Sequence, residues 1–185
     1  MNLVDRIKGI VMDPRNEWPK IAAEPATVQS LYTGWIMILA AIGPIALLVS
    51  LHSIQLAIAQ YVLSLIITFV LALIVDALAP SFGGTKDFIA SLKLTAYSYT
   101  VAWLAGIFYL LGILGGLVAL LATIYALYTF FLGAPVLKKA TAERAVPFTL
   151  VIVLCGIVLG VLARYVFSGM MMTPHLNAGV GMLMR

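Results

Sequence analysis

The chain is short of charge: only 10% of its 185 residues are Asp, Glu, Lys or Arg, against about 25% in an average soluble domain. That shortage excludes a fully solvated surface. A body of 19.9 kDa has too much surface to hide 63% of its residues as hydrophobic core, so lipid must cover much of it. Cys155 is the lone cysteine and sits in an apolar run, which excludes a disulfide framework or a cysteine metal cluster within one chain. Histidine is nearly missing as well. His52 and His175 are remote from each other in sequence, whereas catalysis asks for a base near a nucleophile, paired carboxylates or three clustered metal ligands. Gly83 and Gly84 precede Thr85 and Lys86 but lack the wider spacing of a nucleotide-binding loop. An enzyme is therefore not expected, nor a cofactor or a metal. The net charge of +4, from 11 basic and 7 acidic residues, is too dilute for a nucleic-acid surface.

What the chain has is long apolar runs. A helix crossing the hydrocarbon needs roughly 20 mostly apolar residues, and five such runs lie between charges, prolines and glycines. They cover residues 31–51, 55–79 and 92–111, a fourth stretch from the Gly112 to Gly116 break to about 134, and 147–167. Residues 94–134 contain no charge. As one helix they would measure about 60 Å at 1.5 Å per residue, twice the hydrocarbon thickness, so two crossings are expected. The predicted fold class is all-α: a polytopic membrane protein with five transmembrane helices and a short amphipathic N-terminal helix.

Orientation follows from Lys and Arg in the short connections. Arg6, Lys8, Arg15 and Lys20 precede the first run, Lys86 and Lys93 adjoin the second connection, and Lys138, Lys139 and Arg144 the fourth. With five crossings these 9 of the 11 basic residues share one side, leaving Arg164 and Arg185 for the other. The N-terminus is expected in the cytoplasm and the C-terminus outside, with no cleaved signal peptide, since the first residues are charged and lack a continuous apolar core.

Residues 1–30 read as a cytoplasmic segment. Leu3, Ile7, Ile10 and Val11 recur at helical spacing among Asp5, Arg6 and Lys8, and this helix is expected to lie on the membrane surface, docking on the loops being the alternative. Asp13 and Pro14 read as the cap and first residue of a second turn of helix, with Trp18 at the headgroup level of the interface. Thr27 is a plausible cap for the first crossing. Residues 168–185, with Met170, Met171 and Met172 in a row, have no clean period and are expected to form an external, partly disordered tail.

Asp76 is the acid inside a predicted span, where a carboxylate is costly and a functional candidate by default. Lys93, which begins the next helix on the same side, is its expected ion-pair partner. Gln60, Ser64 and Thr68 precede Asp76 at helical spacings and make a polar stripe with it. The stripe can line a water-filled path or form a helix interface. Pro44, after Gly43, should kink the first crossing because it cannot donate to the carbonyl of Ala40. Gly156 and Gly160 form a small-residue pair suited to helix packing. Tyr97, Tyr99, Tyr125 and Tyr128, with Trp35 and Trp103, offer either a ligand face or ordinary packing and interface belts.

Three runs carry a resemblance: Asp13-Pro14-Arg15-Asn16-Glu17-Trp18-Pro19; the loop Phe82-Gly83-Gly84-Thr85 leading into Thr95-Ala96-Tyr97-Ser98; and Leu132-Gly133-Ala134-Pro135-Val136-Leu137. In this order on a five-helix plan the chain resembles bacterial members of the Yip1 domain family over nearly its whole length. The resemblance implies a non-enzymatic protein of the inner membrane with a cytoplasmic N-terminus and an outward C-terminus. Eukaryotic relatives are associated with vesicle traffic and Rab-type GTPases, a partner not expected for a bacterial member with so short a cytoplasmic segment. The expected role is a membrane scaffold or organiser, partnered by the lipid bilayer and by copies of itself or another membrane protein. The alternative is a small transporter or channel for an ion or small solute, using the Gln60 to Asp76 stripe.

Overall fold

In a computed structural model that describes residues 2–183, two short helices precede five long apolar ones, and no strand occurs among the described residues. The short pair is α1 (Leu3–Met12) and α2 (Pro14–Ala23). The long ones are α3 (Val28–Leu51), α4 (Ile54–Phe82), α5 (Phe88–Leu111), α6 (Ile113–Lys138) and α7 (Ala142–Leu183), whose apolar spanning part is Glu143–Gly169. The shortest of these have 24 residues, about 36 Å of helix, enough to cross a hydrocarbon core of ~30 Å.

Local chemistry sets the ends. Asp13 accepts from the Asn16 N–H and Pro14 occupies the first position of α2, where its missing N–H has no helical partner to lose. Thr27 and Ser30 form a reciprocal capping box, which starts α3 at Val28, three residues before the apolar run does. Asp87 caps α5 at the Ala90 N–H. That helix begins four residues earlier than its apolar run because Ser91 and Lys93 are buried against partners instead of facing water. Between α5 and α6 the chain turns on Gly112, at φ 58° and ψ −122°, a conformation that side chains other than hydrogen avoid. This turn makes two crossings of the charge-free stretch. Gly115 is equally constrained, since a Cβ there would lie 1.9 Å from the Phe108 carbonyl oxygen.

Two sequence expectations about the ends are corrected. The fifth helix does not stop at residue 167: it continues to Leu183, since propagation from a formed helix adds one hydrogen bond per residue fixed. The last two residues of the expected tail lie outside the described ones. The N-terminal helices do not lie free on a membrane surface either. Ile10, Trp18 and Ile21 are buried in the protein's own core, as are the charged Arg6 and Glu17.

α3 is irregular in two places. Residues Tyr32–Ile36 form a π-helical turn, and the helix breaks at Ala41 before resuming at Ile42. The break lies one turn before Pro44, where the bond to the Ala40 carbonyl is missing. The resumed part crosses the end of α5 so closely that a Cβ on Gly106 would sit 2.8 Å from the Gly43 Cα. α4 packs against α5 and α7, and α6 against α5 and α2. Leu71, Ala72, Val75, Leu92, Leu94 and Ala96 fill the centre. Ile58, Val62, Ile66, Phe69 and Leu73 recur every three or four residues on the outer face of α4, and Leu150, Leu154, Ile157 and Val161 do so on α7. These exposed stripes are the surfaces that lipid covers.

Candidate functional site

The intramembrane acid is paired inside the fold. Asp76 Oδ1 accepts from Lys138 Nζ at 3.0 Å, from the Asp87 N–H at 2.8 Å and from Ser91 Oγ at 3.1 Å. Lys138, wholly buried at the end of α6, also donates to the Asp87 carbonyl (2.9 Å) and to Ser91 Oγ (2.7 Å). The partner expected from sequence, Lys93, is elsewhere: its ammonium donates to the backbone carbonyls of Ile21 (2.8 Å) and Glu24. Lys93 thus closes the C-terminal end of α2, where a cation meets the carbonyls that the helix leaves unpaired. The loop of Gly83, Gly84 and Thr85 straps over the same node. Thr85 N–H donates to the Lys138 carbonyl at 2.8 Å, and a Cβ on Gly84 would come within 2.9 Å of that oxygen. The second resembling run therefore meets Lys138, the residue directly after the run Leu132 to Leu137, in one structural knot.

The first run, Asp13 to Pro19, fastens the N-terminal hairpin. Arg6 on α1 binds Glu17 at 2.6 Å and also Glu24, while Lys20 binds Glu17 at 3.0 Å. Gly9 lets the two helices close over this network, because a Cβ there would fall 2.5 Å from the Glu17 carboxyl carbon. Trp18, expected at the headgroups, is 1% exposed. Its indole N–H donates to the Thr129 carbonyl at 3.0 Å, and its ring fills the space that Gly133 leaves on α6. Tyr125 donates to the Val11 carbonyl at 2.7 Å, closing the end of α1.

Within the membrane-spanning layer lies a cavity of ≈330 Å³, walled by Pro44, Gln60, Ser64, Thr68, Tyr99 and Trp103 among others. Gly156 and Gly160 border it instead of packing against a helix: a Cβ on Gly160 would meet nothing within 4 Å, and one on Gly156 only the Tyr99 hydroxyl at 3.9 Å. An apolar chamber of ≈400 Å³ adjoins it and shares Leu71, Tyr99, Ala102, Thr123 and Gly156. Gln60 lies about 9 Å along α4 from Ile54 and Thr68 about 21 Å, the middle of the layer. The Gln60 side-chain oxygen is buried and accepts from no protein donor. No Asp, Glu, Lys, Arg or His lines the cavity among the described residues, and Asp76 is not part of its wall.

The structure thus brings Gln60, Ser64, Thr68, Pro44, Gly156 and Gly160 around one cavity, and places Asp76, Lys93 and Trp18 in the polar network beyond it. Sequence reasoning missed Lys138 as the partner of Asp76, and Arg6, Glu17 and Glu24 as a buried network. Lys138 was visible at the end of an apolar run on the expected side, as Lys93 was, and depth alone does not rank the two. Together these features define an all-α, multi-pass membrane protein whose buried charged residues are gathered at one end of the bundle. The chain matches the Yip1 domain family over residues 8–163, most of its length, and belongs to that family. No curated protein and no solved structure matches it.

Proposed function

We propose that this Yip1 domain protein is a non-enzymatic membrane scaffold or organiser of a bacterial inner membrane, with its N-terminus in the cytoplasm and its C-terminus outside. The observation that supports this reading is the closed Asp76–Lys138 pair. The acid that a translocation path would use is neutralised inside the fold, and among the described residues the neighbouring cavity has no Asp, Glu, Lys, Arg or His on its wall. The hairpin of α1 and α2, held by Lys93, Trp18 and Tyr125, gives the basic end a rigid surface for another membrane protein or a second copy. The orientation rests on the count of Lys and Arg in the connections.

Reporters fused after Arg185 and at Ala140 should be active on opposite sides of the membrane. In proteoliposomes the full chain should carry no ion or small neutral solute, while cross-linking in native membranes captures it in stable assemblies. A second reading is favoured by the unpartnered Gln60 oxygen: passage of a small solute through the cavity. Flux that Gln60→Leu abolishes would establish that reading and overturn the scaffold.

A further inference from the structure

The two adjoining chambers differ in chemistry. The first has Gln60, Ser64 and Thr68 on one wall, and the second is lined mainly by Leu, Ile, Val and Phe. Together they have the composition of a ligand site: mostly apolar, with a few convergent polar groups, between the helices of a bundle and within the usual size range of roughly 300–1,000 Å³. Two independent observations point to what fits. The Gln60 oxygen is a buried acceptor that no protein donor reaches, so a ligand carrying an O–H or N–H suits it. The absence of any charged residue from the wall among the described residues excludes an ionic head, which would be desolvated without a counter-charge.

The space is made by glycine. Gly156 and Gly160 face the cavity from α7 with no close neighbour, and only 17% of an 18-residue apolar stretch of α7 is buried inside the protein. That side therefore adjoins lipid with little protein behind it. We propose that the paired chambers bind an uncharged, single-chain lipid with a hydroxyl head, of the monoacylglycerol or long-chain alcohol class. Its hydroxyl donates to the Gln60 oxygen, and its chain lies in the apolar chamber between Leu71, Phe130 and Ile152. This binding does not rest on the scaffold reading, since flux and assembly test the one and lipid retention tests the other.

The test uses the full chain in nonionic detergent, titrated with 1-monooleoylglycerol and followed by native mass spectrometry. A bromine-labelled acyl chain reports in parallel through quenching of tryptophan fluorescence, because Trp103 lines the cavity. Saturable one-to-one retention of 1-monooleoylglycerol is expected, and oleoyl lysophosphatidylglycerol, with the same chain and an ionic head, should bind at least tenfold more weakly. Gly156→Leu should fold with an unchanged thermal midpoint and lose retention by at least tenfold. Gln60→Leu should weaken 1-monooleoylglycerol about tenfold and leave 1-octadecene, which has no head, unaffected. Equal retention of the ionic lipid, or retention undiminished in a folded Gly156→Leu protein, overturns the proposal. If Gly156→Leu fails to fold, Gln60→Leu decides: an equal effect on the two uncharged probes overturns the hydroxyl contact.

Discussion

Replacing Asp76 by Ala removes the acceptor of three hydrogen bonds and the counter-charge of an ammonium that has no exposure to solvent. Breaking a buried pair from one side commonly costs about 3–5 kcal/mol, and Asp76→Ala should lie in the upper part of that range. The stranded Lys138 retains only the Asp87 carbonyl and Ser91 Oγ, and the Asp87 N–H at the head of α5 loses its acceptor as well. Lys138→Met should cost less, because the Asp76 carboxylate, whose side chain is 11% exposed, keeps its bonds from Asp87 and Ser91. Asp76→Asn combined with Lys138→Met leaves neither charge buried, and its loss should fall short of the sum of the single losses by at least ~1 kcal/mol. Lys93 shares no hydrogen-bond partner with Asp76, so Asp76→Asn and Lys93→Met should add within about 0.5 kcal/mol. Equilibrium unfolding in mixed micelles, followed by helical circular dichroism, gives both cycles. Additive losses for the Asp76 and Lys138 pair, with coupling between Asp76 and Lys93, would refute the assignment.

Gly133→Ala would place a Cβ 2.5 Å from Trp18 and 2.7 Å from Leu94. It should cost about 1–3 kcal/mol as an overpacked contact and release the hairpin, measured as faster proteolysis within residues 1–25. Gly112→Ala forces a side chain into the turn at φ 58° and should lower stability by roughly 1–3 kcal/mol; an unchanged unfolding midpoint would show that the turn relaxes. Gln60→Leu removes a buried acceptor without a partner, so the lipid-free protein should unfold at the same point or later, and clear destabilisation would mean that the amide is satisfied.

The five crossings were legible because lipid imposes a long apolar run on every spanning helix, and the signal survives without any tertiary information. Caps were legible for a similar reason: Asp13, Thr27 and their neighbours act within three residues of themselves. The boundaries that moved are those where burial by distant residues overrides local polarity. α5 begins at Phe88, before Ser91 and Lys93, because the protein supplies partners for both. The fate of the N-terminal helices was hidden in the same way. An amphipathic face fits a membrane surface and a protein groove equally well, and what separates the two is Gly133, which is 115 residues after Trp18 in the chain and opens the space for its ring.

The candidate site was half legible. Gln60, Ser64 and Thr68 share a helix face by spacing alone, and they share a cavity wall in the structure. Asp76 continues the same spacing, yet it has left the stripe for Lys138. The physical reason lies in the cost of a charge in the layer: an acid at the end of a span turns toward whichever cation the fold buries with it, and helix periodicity says nothing about where that cation is. Gly156 and Gly160 are misread by the same logic. Their spacing permits close packing, but it equally permits a gap, and the gap forms here because no helix backbone approaches either one. Small residues in a membrane helix thus mark where something else fits, and the neutral wall around Gln60 narrows that something to a group that brings its own hydrogen and no charge.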